Sequence, residues 1–331
     1  MAFQASQTIY VIAGPTASGK TALAIELAKR LETAIISADS MQVYIGMDIG
    51  TAKPTLKEQQ GIPHFLIDIK YPNQTFSVAE FETMASYEID GYDTMRDNPH
   101  IPPIVVGGTG FYINALIYGA DFSKETTPAS HTLENQLRDK YHIIAEEKGA
   151  EFIHKKLQIL DPDAAKNIHP NNIKRVVRAI SYCESRGALF SAQNAEKKVR
   201  SARYDVKFIV LELERQLLYK RINERVLTMW ENGLVEEVRG LLAKGYHDTL
   251  PSMRSIGYKE TTRFINGECS EDETINAIQQ ATRNYAKRQQ TWFRHQNSTA
   301  QILNVSGKNV DTLIKEILNT GSNDILQNGA N

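Results

Sequence analysis

Residues 8–27 read TIYVIAGPTASGKTALAIEL, and this stretch decides the fold. Thr8 to Ala13 is a continuous apolar, β-branched run, the pattern of a strand buried on both faces. From Gly19 to Leu31, leucines at 23, 27 and 31 recur at i, i+4 and i+8, which predicts a helix. Between the two, Gly14-Pro15-Thr16-Ala17-Ser18-Gly19-Lys20-Thr21 fits G-x-x-x-x-G-K-[ST]. In such a loop, backbone N–H groups converge on a phosphate and the following helix adds its positive end. Gly14 and Gly19 permit the tight backbone. Lys20 supplies a charge, and Thr21 offers a hydroxyl to phosphate or Mg²⁺.

Working outward, Ala34–Ser37 reads as a second strand, ending at Asp39-Ser40. Ser77–Asp97 reads as a helix after a Pro/Asn turn, and Pro102–Val106 as a third strand ending in Gly107-Gly108-Thr109. Strand, helix, strand, helix, strand predicts an α/β fold with a P-loop NTPase-like parallel sheet. After Gly119 the texture changes. Ser130 to Arg203 carries helical patterns and few strand signals, and Tyr204–Leu213 returns as a β-type run. The expected division is therefore an α/β core over 1–125 and 204–320 with a helical insertion over 126–203. Helices are expected around Leu217–Trp230 and Glu271–His295, and a last strand at Gln301–Val305. Residues 321–331, rich in Asn, Gly and Ser, read as a disordered tail.

Composition limits the function classes. Among 331 residues the net charge is −1, so a nucleic-acid partner would have to meet local basic patches, not a global field. Cys183 and Cys269 are far apart, which excludes a cysteine-based zinc site and a disulfide framework and suits a reducing cytoplasm. No basic n-region precedes an apolar core near the start, and no apolar run approaches the ~20 residues of a membrane span.

A nucleotide hydrolase holds Mg²⁺ with an acid near a later strand end. Here the third strand ends in Gly-Gly-Thr, and the nearest acid is Asp39 after the second. Ligands of open parallel sheets sit beyond the carboxyl ends of the strands. The loop, Asp39 and Thr109 should therefore meet in one crevice. Asp39 could hold Mg²⁺, take a proton from a nucleophile, or merely cap a helix. Two basic stripes stand out. On a helix over Ile173–Arg186, the apolar Ile173, Val176, Val177 and Ile180 share one face, and Lys174, Arg175 and Arg178 the other. Arg283–Arg294 contains no acid, with Arg283, Lys287 and Arg294 in line. Arg254 and Lys259 bracket Gly257-Tyr258. Each stripe suits a phosphodiester backbone as well as plain solvent.

The motifs GPTASGKT, ISADSMQVY, GMDIGTAKP, PHFLID, VVGGTGFY, IHPNN, RSIGYKE and KRQQTWFR together resemble the bacterial tRNA dimethylallyltransferases, over about residues 8 to 305. The resemblance implies a different use of the loop. It would cradle the diphosphate of dimethylallyl diphosphate, with Mg²⁺ assisting. The acceptor would be N6 of adenine 37 in the anticodon stem-loop of tRNAs reading codons that begin with U, and the base would be flipped out of the loop into the core. On that basis Gly14, Pro15, Thr16, Ala17, Ser18, Gly19, Lys20 and Thr21 bind the diphosphate, Thr21 also touching Mg²⁺. Asp39 is the general base, and Arg221 in LLYKRINER braces the leaving diphosphate. Contacts to tRNA fall on Asp39, Ser40, Met41, Gln42 and Thr109, and on Lys174, Arg175, Val176, Val177 and Arg178. They continue at Arg254, Ser255, Ile256, Gly257, Tyr258 and Lys259, and at Lys287, Arg288, Gln289, Gln290, Thr291, Trp292, Phe293 and Arg294. The chain departs from the family at His131, which stands where many members have an arginine. Its two lone cysteines also predict that the zinc finger of eukaryotic relatives is absent. The implied enzyme is a cytoplasmic monomer. Competing readings are a small-molecule P-loop kinase, a non-catalytic RNA-binding module and an AMP prenyltransferase. The basic insertion argues against the last, since AMP needs no stem-loop grip.

Overall fold

A computed structural model of the chain describes residues 8–94, 103–119, 128–192, 202–296 and 300–319. The chain divides into two compact units, Met1–Ala120 with Ala202–Asn331, and Asp121–Ser201.

The larger unit is built on a six-stranded sheet, every pair parallel. In chain order its strands are β1 (Thr8–Ala13), β2 (Ile35–Ser37), β3 (His64–Phe65), β4 (Ile104–Gly107), β5 (Asp205–Glu212) and β6 (Gln301–Asn304). Their spatial order is β3-β2-β4-β1-β5-β6. β1 lies inside, paired with β4 on one side and β5 on the other, so both its edges are hydrogen-bonded. Its side chains alternate as a strand dictates. Ile12 joins a core with α1 (Lys20–Leu31), α9 (Arg215–Glu231) and α13 (Val310–Asn319). Ile9, Val11 and Ala13 join the opposite core, which holds Phe81 of α3 (Val78–Thr94), Tyr112 and Leu116 of α4 (Gly110–Tyr118) and Phe293 of α12 (Glu271–Gln296). The short helices α2 (Leu56–Gln59), α10 (Leu234–Ala243) and α11 (Tyr258–Ile265) complete this unit.

Register places the site. Ala13 pairs with Gly107, and Ser37 with Val106, so β1, β2 and β4 end together. The chain then leaves β1 into Gly14, β2 into Ala38-Asp39 and β4 into Gly108-Thr109. Ala38 N–H donates to Val106 O at 2.7 Å, and Thr109 N–H to Ala38 O at 3.2 Å, stitching two of these exits together.

The smaller unit contains α5 (Pro128–Lys148), α6 (Ala150–Leu160), α7 (Pro162–Asn167) and α8 (Ile173–Arg186) around Tyr141, Ile153, Leu157, Val176, Val177 and Ile180. Asp161 ends α6 and caps α7, its Oδ1 accepting Ala164 N–H at 3.0 Å.

The expected strands and long helices recur within a few residues of their read limits. α2, β3, α4, α10, α11 and α13 carry no assigned pattern in the sequence. Residues 95–97 of the helix read over Ser77–Asp97, Pro102 of the third strand and the tail 321–331 lie outside the described residues. His131 belongs to α5, and its side chain also lies outside them.

Candidate active site

The loop after β1 has the backbone that its sequence demands. Gly19 takes a left-handed conformation (φ 91°) as N-cap of α1, without a side-chain cap. No acid occupies the first turn of α1, so the positive end of the helix stays open to an anion. Ala17 also sits at positive φ (61°), a costly state for a residue with a Cβ. The buried Ser18 hydroxyl has no hydrogen-bond partner among the described residues. Lys20 Nζ donates to Pro15 O at 2.7 Å. Burial pushes the Lys20 ammonium down to about 7; Asp39 opposes the shift and Arg225 adds to it.

A cavity of about 950 Å³ opens over this loop, lined by Thr16 to Thr21, Asp39 to Gln42, Gly107, Gly108, Arg225, Tyr285 and Gln289. Asp39 sits opposite the loop and holds its own turn, Oδ1 accepting Met41 N–H at 2.8 Å and Gln42 N–H at 3.4 Å. It caps this turn and no helix. Thr109 Oγ1 accepts Ser40 N–H at 3.1 Å, so the exits of β2 and β4 are tied by side chain as well as backbone.

Arg221 is exposed and stands outside the cavity, whereas Arg225, one turn later on α9, lines it. Of the two arginines, Arg225 and not Arg221 is placed to reach a ligand in this cavity. Burial lowers the guanidinium pKa of Arg225 while the charges of Asp39 and Glu58 raise it. A half-buried guanidinium in a cavity that also holds an open helix N-terminus is suited to an anion such as phosphate.

One wall of the cavity is the loop of GMDIGTAKP. A single carboxylate organises it. Glu237 of α10 accepts the N–H groups of Asp48 (2.9 Å), Ile49 (2.7 Å) and Gly50 (3.2 Å) and the Tyr258 hydroxyl (2.6 Å). Four donors saturate a carboxylate. Gly50 is required because a Cβ there would collide with the Tyr258 ring. Lys53, its side chain 6% exposed, bridges Asp48 and Asp68 and donates to Tyr44 O at 2.7 Å. Gln42 Nε2 reaches Ala52 O at 3.2 Å, joining this wall to the Asp39 turn.

The remaining expected RNA contacts separate by burial. Lys174, Arg175 and Arg178 are exposed on α8, while Val176 and Val177 are buried in the core of the smaller unit. Arg254 and Lys259 are exposed, and Arg254, Ser255, Ile256 and Gly257 line the cavity. Tyr258 is fully buried. On α12, Lys287, Arg288, Thr291 and Arg294 face outward, and Gln290 and Trp292 are half-buried. Phe293 packs under the sheet, and Gln289 is 6% exposed, pointing to the loop. The side chains of Val176, Val177, Tyr258, Phe293 and Gln289 are thus interior, each packed or hydrogen-bonded within its own unit. Arg294 is ion-paired with Glu212. Tyr285, Arg225 and Glu237 belong to the site although no sequence motif marks them. The one sequence signal for Tyr285 was its i, i+4 spacing to Gln289 and on to Phe293.

Among the described residues no cluster of three acid, histidine or cysteine ligands could hold a metal alone, and no helix is long and apolar enough to cross a membrane. Mg²⁺ needs less, binding through one or two protein oxygens plus substrate phosphates. Thr21 and Asp39, both lining the cavity, fit that donor set.

A family model described as "IPP transferase" matches residues 42–296, which begins just after Asp39 and so leaves the loop outside the match. Over 311 residues the chain is 44% identical to a tRNA dimethylallyltransferase of Bacillus cytotoxicus, covering 94% of this chain and 95% of that protein. It is 46% identical over 288 residues to one from an Exiguobacterium species, covering 87% and 88%. Among solved structures it resembles the full-length tRNA isopentenylpyrophosphate transferase of Bacillus halodurans, with 37% identity, TM-score 0.70 and 97% of each chain covered. It also resembles a eukaryotic dimethylallyltransferase acting on tRNA, with 28% identity, TM-score 0.78, and 98% of this chain and 80% of that one covered.

Proposed function

The chain belongs to the IPP transferase family, whose relatives are tRNA-modifying prenyl transferases, and from that premise we propose its reaction in atomic terms. The enzyme transfers a dimethylallyl group from dimethylallyl diphosphate to tRNA, at N6 of adenine 37 in the anticodon stem-loop of tRNAs that read codons beginning with U. The observation that carries this is the cavity itself, which the phosphate-cradling loop from Thr16 to Thr21 and the carboxylate-bearing Asp39 turn line together.

In the proposed step the N6 lone pair attacks the allylic carbon. The carbon–oxygen bond breaks, its electron pair leaves with diphosphate, and the N6 proton passes to Asp39. The open N–H groups of α1, Lys20 and Arg225 meet the charge that builds on the leaving group, the largest kind of contribution such sites make. Mg²⁺, held by Thr21 and Asp39 with the diphosphate, would supply further charge neutralisation. The lip from Asp48 to Thr55 and the Asp39 turn hold the adenine in line, which matters because N6 is a weak nucleophile. The exposed Lys and Arg residues of α8, α12 and the Arg254–Lys259 segment would grip the RNA backbone. A cytoplasmic location, also part of the proposal, is supported by two free cysteines far apart in sequence.

The comparisons favour transfer to tRNA over the kinase, AMP and non-catalytic readings. The test is direct. Protein with Mg²⁺ and radiolabelled dimethylallyl diphosphate should label an anticodon stem-loop containing A36-A37-A38. Label on AMP and not on RNA overturns the acceptor assignment.

A further inference from the structure

Helix α12 reaches the reaction chamber with two side chains one turn apart. Gln289 spends both ends of its amide there. Its Oε1 accepts the Thr16 N–H of the phosphate loop at 2.9 Å, and its Nε2 donates to Gly108 O at 2.9 Å. The contact spans 273 residues of sequence. Tyr285 lines the cavity together with Gln289, Asp39 and Ser40. Thr109 holds Ser40, the neighbour of Asp39. Gln289 therefore ties the phosphate loop to the exit of β4, and Thr109 ties that exit to the Asp39 turn. The turn after β4 is cut to receive it. A Cβ on Gly108 would collide with the Gln289 amide, and one on Gly110 with the Trp292 ring. The same helix shows Lys287, Arg288 and Arg294 to solvent, and the Arg288 guanidinium lies 5.7 Å from the Tyr285 ring.

Resting on the reaction given above, we infer that Gln289 and Tyr285 are positioning residues, which fix the phosphate loop and the Asp39 turn relative to one another. Gln289 acts on the donor side. Without it the Thr16 amide is freed and the loop loses its anchor to the β4 exit. Tyr285 acts on the acceptor side, since it lines the cavity with Asp39 and Ser40. The two should separate kinetically: Gln289 through the donor KM, Tyr285 through kcat. A merely structural role would lower stability and leave both parameters of the folded fraction unchanged.

Full-length Gln289→Met, Gln289→Asn and Tyr285→Phe enzymes would be compared with wild type by thermal melting, steady-state kinetics with dimethylallyl diphosphate and stem-loop RNA, and calorimetric binding of inorganic diphosphate with Mg²⁺. Gln289→Met should raise the donor KM and weaken diphosphate binding about tenfold, with the RNA KM within about twofold. Gln289→Asn, shorter by one methylene, should do the same should the methionine variant fail to fold. Tyr285→Phe should lower kcat about tenfold at near-normal KM values. Folded Gln289 variants that bind diphosphate like wild type, or a Tyr285→Phe enzyme with wild-type kcat, would overturn the inference. An inactive wild type would instead defeat the transferase reading. The diphosphate-binding arm would still decide the role of Gln289.

Discussion

The molecule carries positive charge in two contrasting settings. In the cavity, Lys20 and Arg225 are sunk beside Asp39, and burial depresses both their pKa values. On α8, Lys174 and Arg175 stand in solvent around an apolar face buried in its own unit. The difference teaches what each charge can do. A desolvated cation acts at short range, on one group, with strength that water would otherwise screen. A solvated cation acts on a polyanion, with its neighbours and against salt. Chemistry should depend on the first set and grip on the second.

The sharpest way to break this contrast is to remove the carboxylate between the buried cations. Asp39→Ala should lower kcat about 10²–10⁴-fold, in the range of a general base, and leave stem-loop binding measured by anisotropy near wild type. Near-normal turnover would strip Asp39 of its role. Next, Arg225→Ala should lower kcat/KM for the donor about 10²–10³-fold, whereas Arg221→Ala on the same helix should change it less than about twofold. Equal effects would mean that burial does not distinguish the two arginines. A smaller effect is read from pH. The free enzyme needs Lys20 charged to bind an anion, and its pKa is held at about 7. Donor kcat/KM should therefore be flat below that pH and fall about tenfold per unit above it, a limb that Lys20→Arg removes. The mildest change belongs to the solvated set. Replacing Lys174, Arg175 and Arg178 by alanine should weaken RNA binding and reduce the slope of log K against log salt by about 2, with kcat at saturating RNA unchanged. An unaltered slope would return the stripe to plain solvent.

The sequence told these two settings apart unevenly. The loop from Gly14 to Thr21 was legible because its residues are contiguous and each does its work through local backbone. Asp39 and Thr109 were legible because a parallel sheet sends its ligands to one edge. Arg221 and Arg225 show the limit. Four residues apart on one helix, they lie within about 40° of each other around its axis, so spacing could not rank them. Only the position of α9 along the sheet puts one in the cavity. Gln289 is marked by the family resemblance as a tRNA contact, but its anchoring role is not legible, because its partners Thr16 and Gly108 lie far away in sequence. Glu237 was invisible for the same reason: its four donors come from two distant segments that carry no matching charge. The smaller unit repeats the lesson. The apolar period that buries Val176 and Val177 was plain, and it outweighs a motif that treats Lys174 to Arg178 as one contact strip.

The position of β1 has a consequence for how the chain is made. Thr8 pairs with Asp205, so the central strand receives one of its two neighbours only 197 residues later. At about 5–20 residues per second, a ribosome takes roughly 10–40 s to supply it. Through that interval β1 presents an unpaired, apolar edge, the feature that invites wrong pairing between nascent chains. The helices of the smaller unit, with short-range contacts, emerge before β5 and can collapse while the sheet waits. Synthesis thus runs against the order of assembly: the phosphate loop is among the first parts made and among the last to be supported.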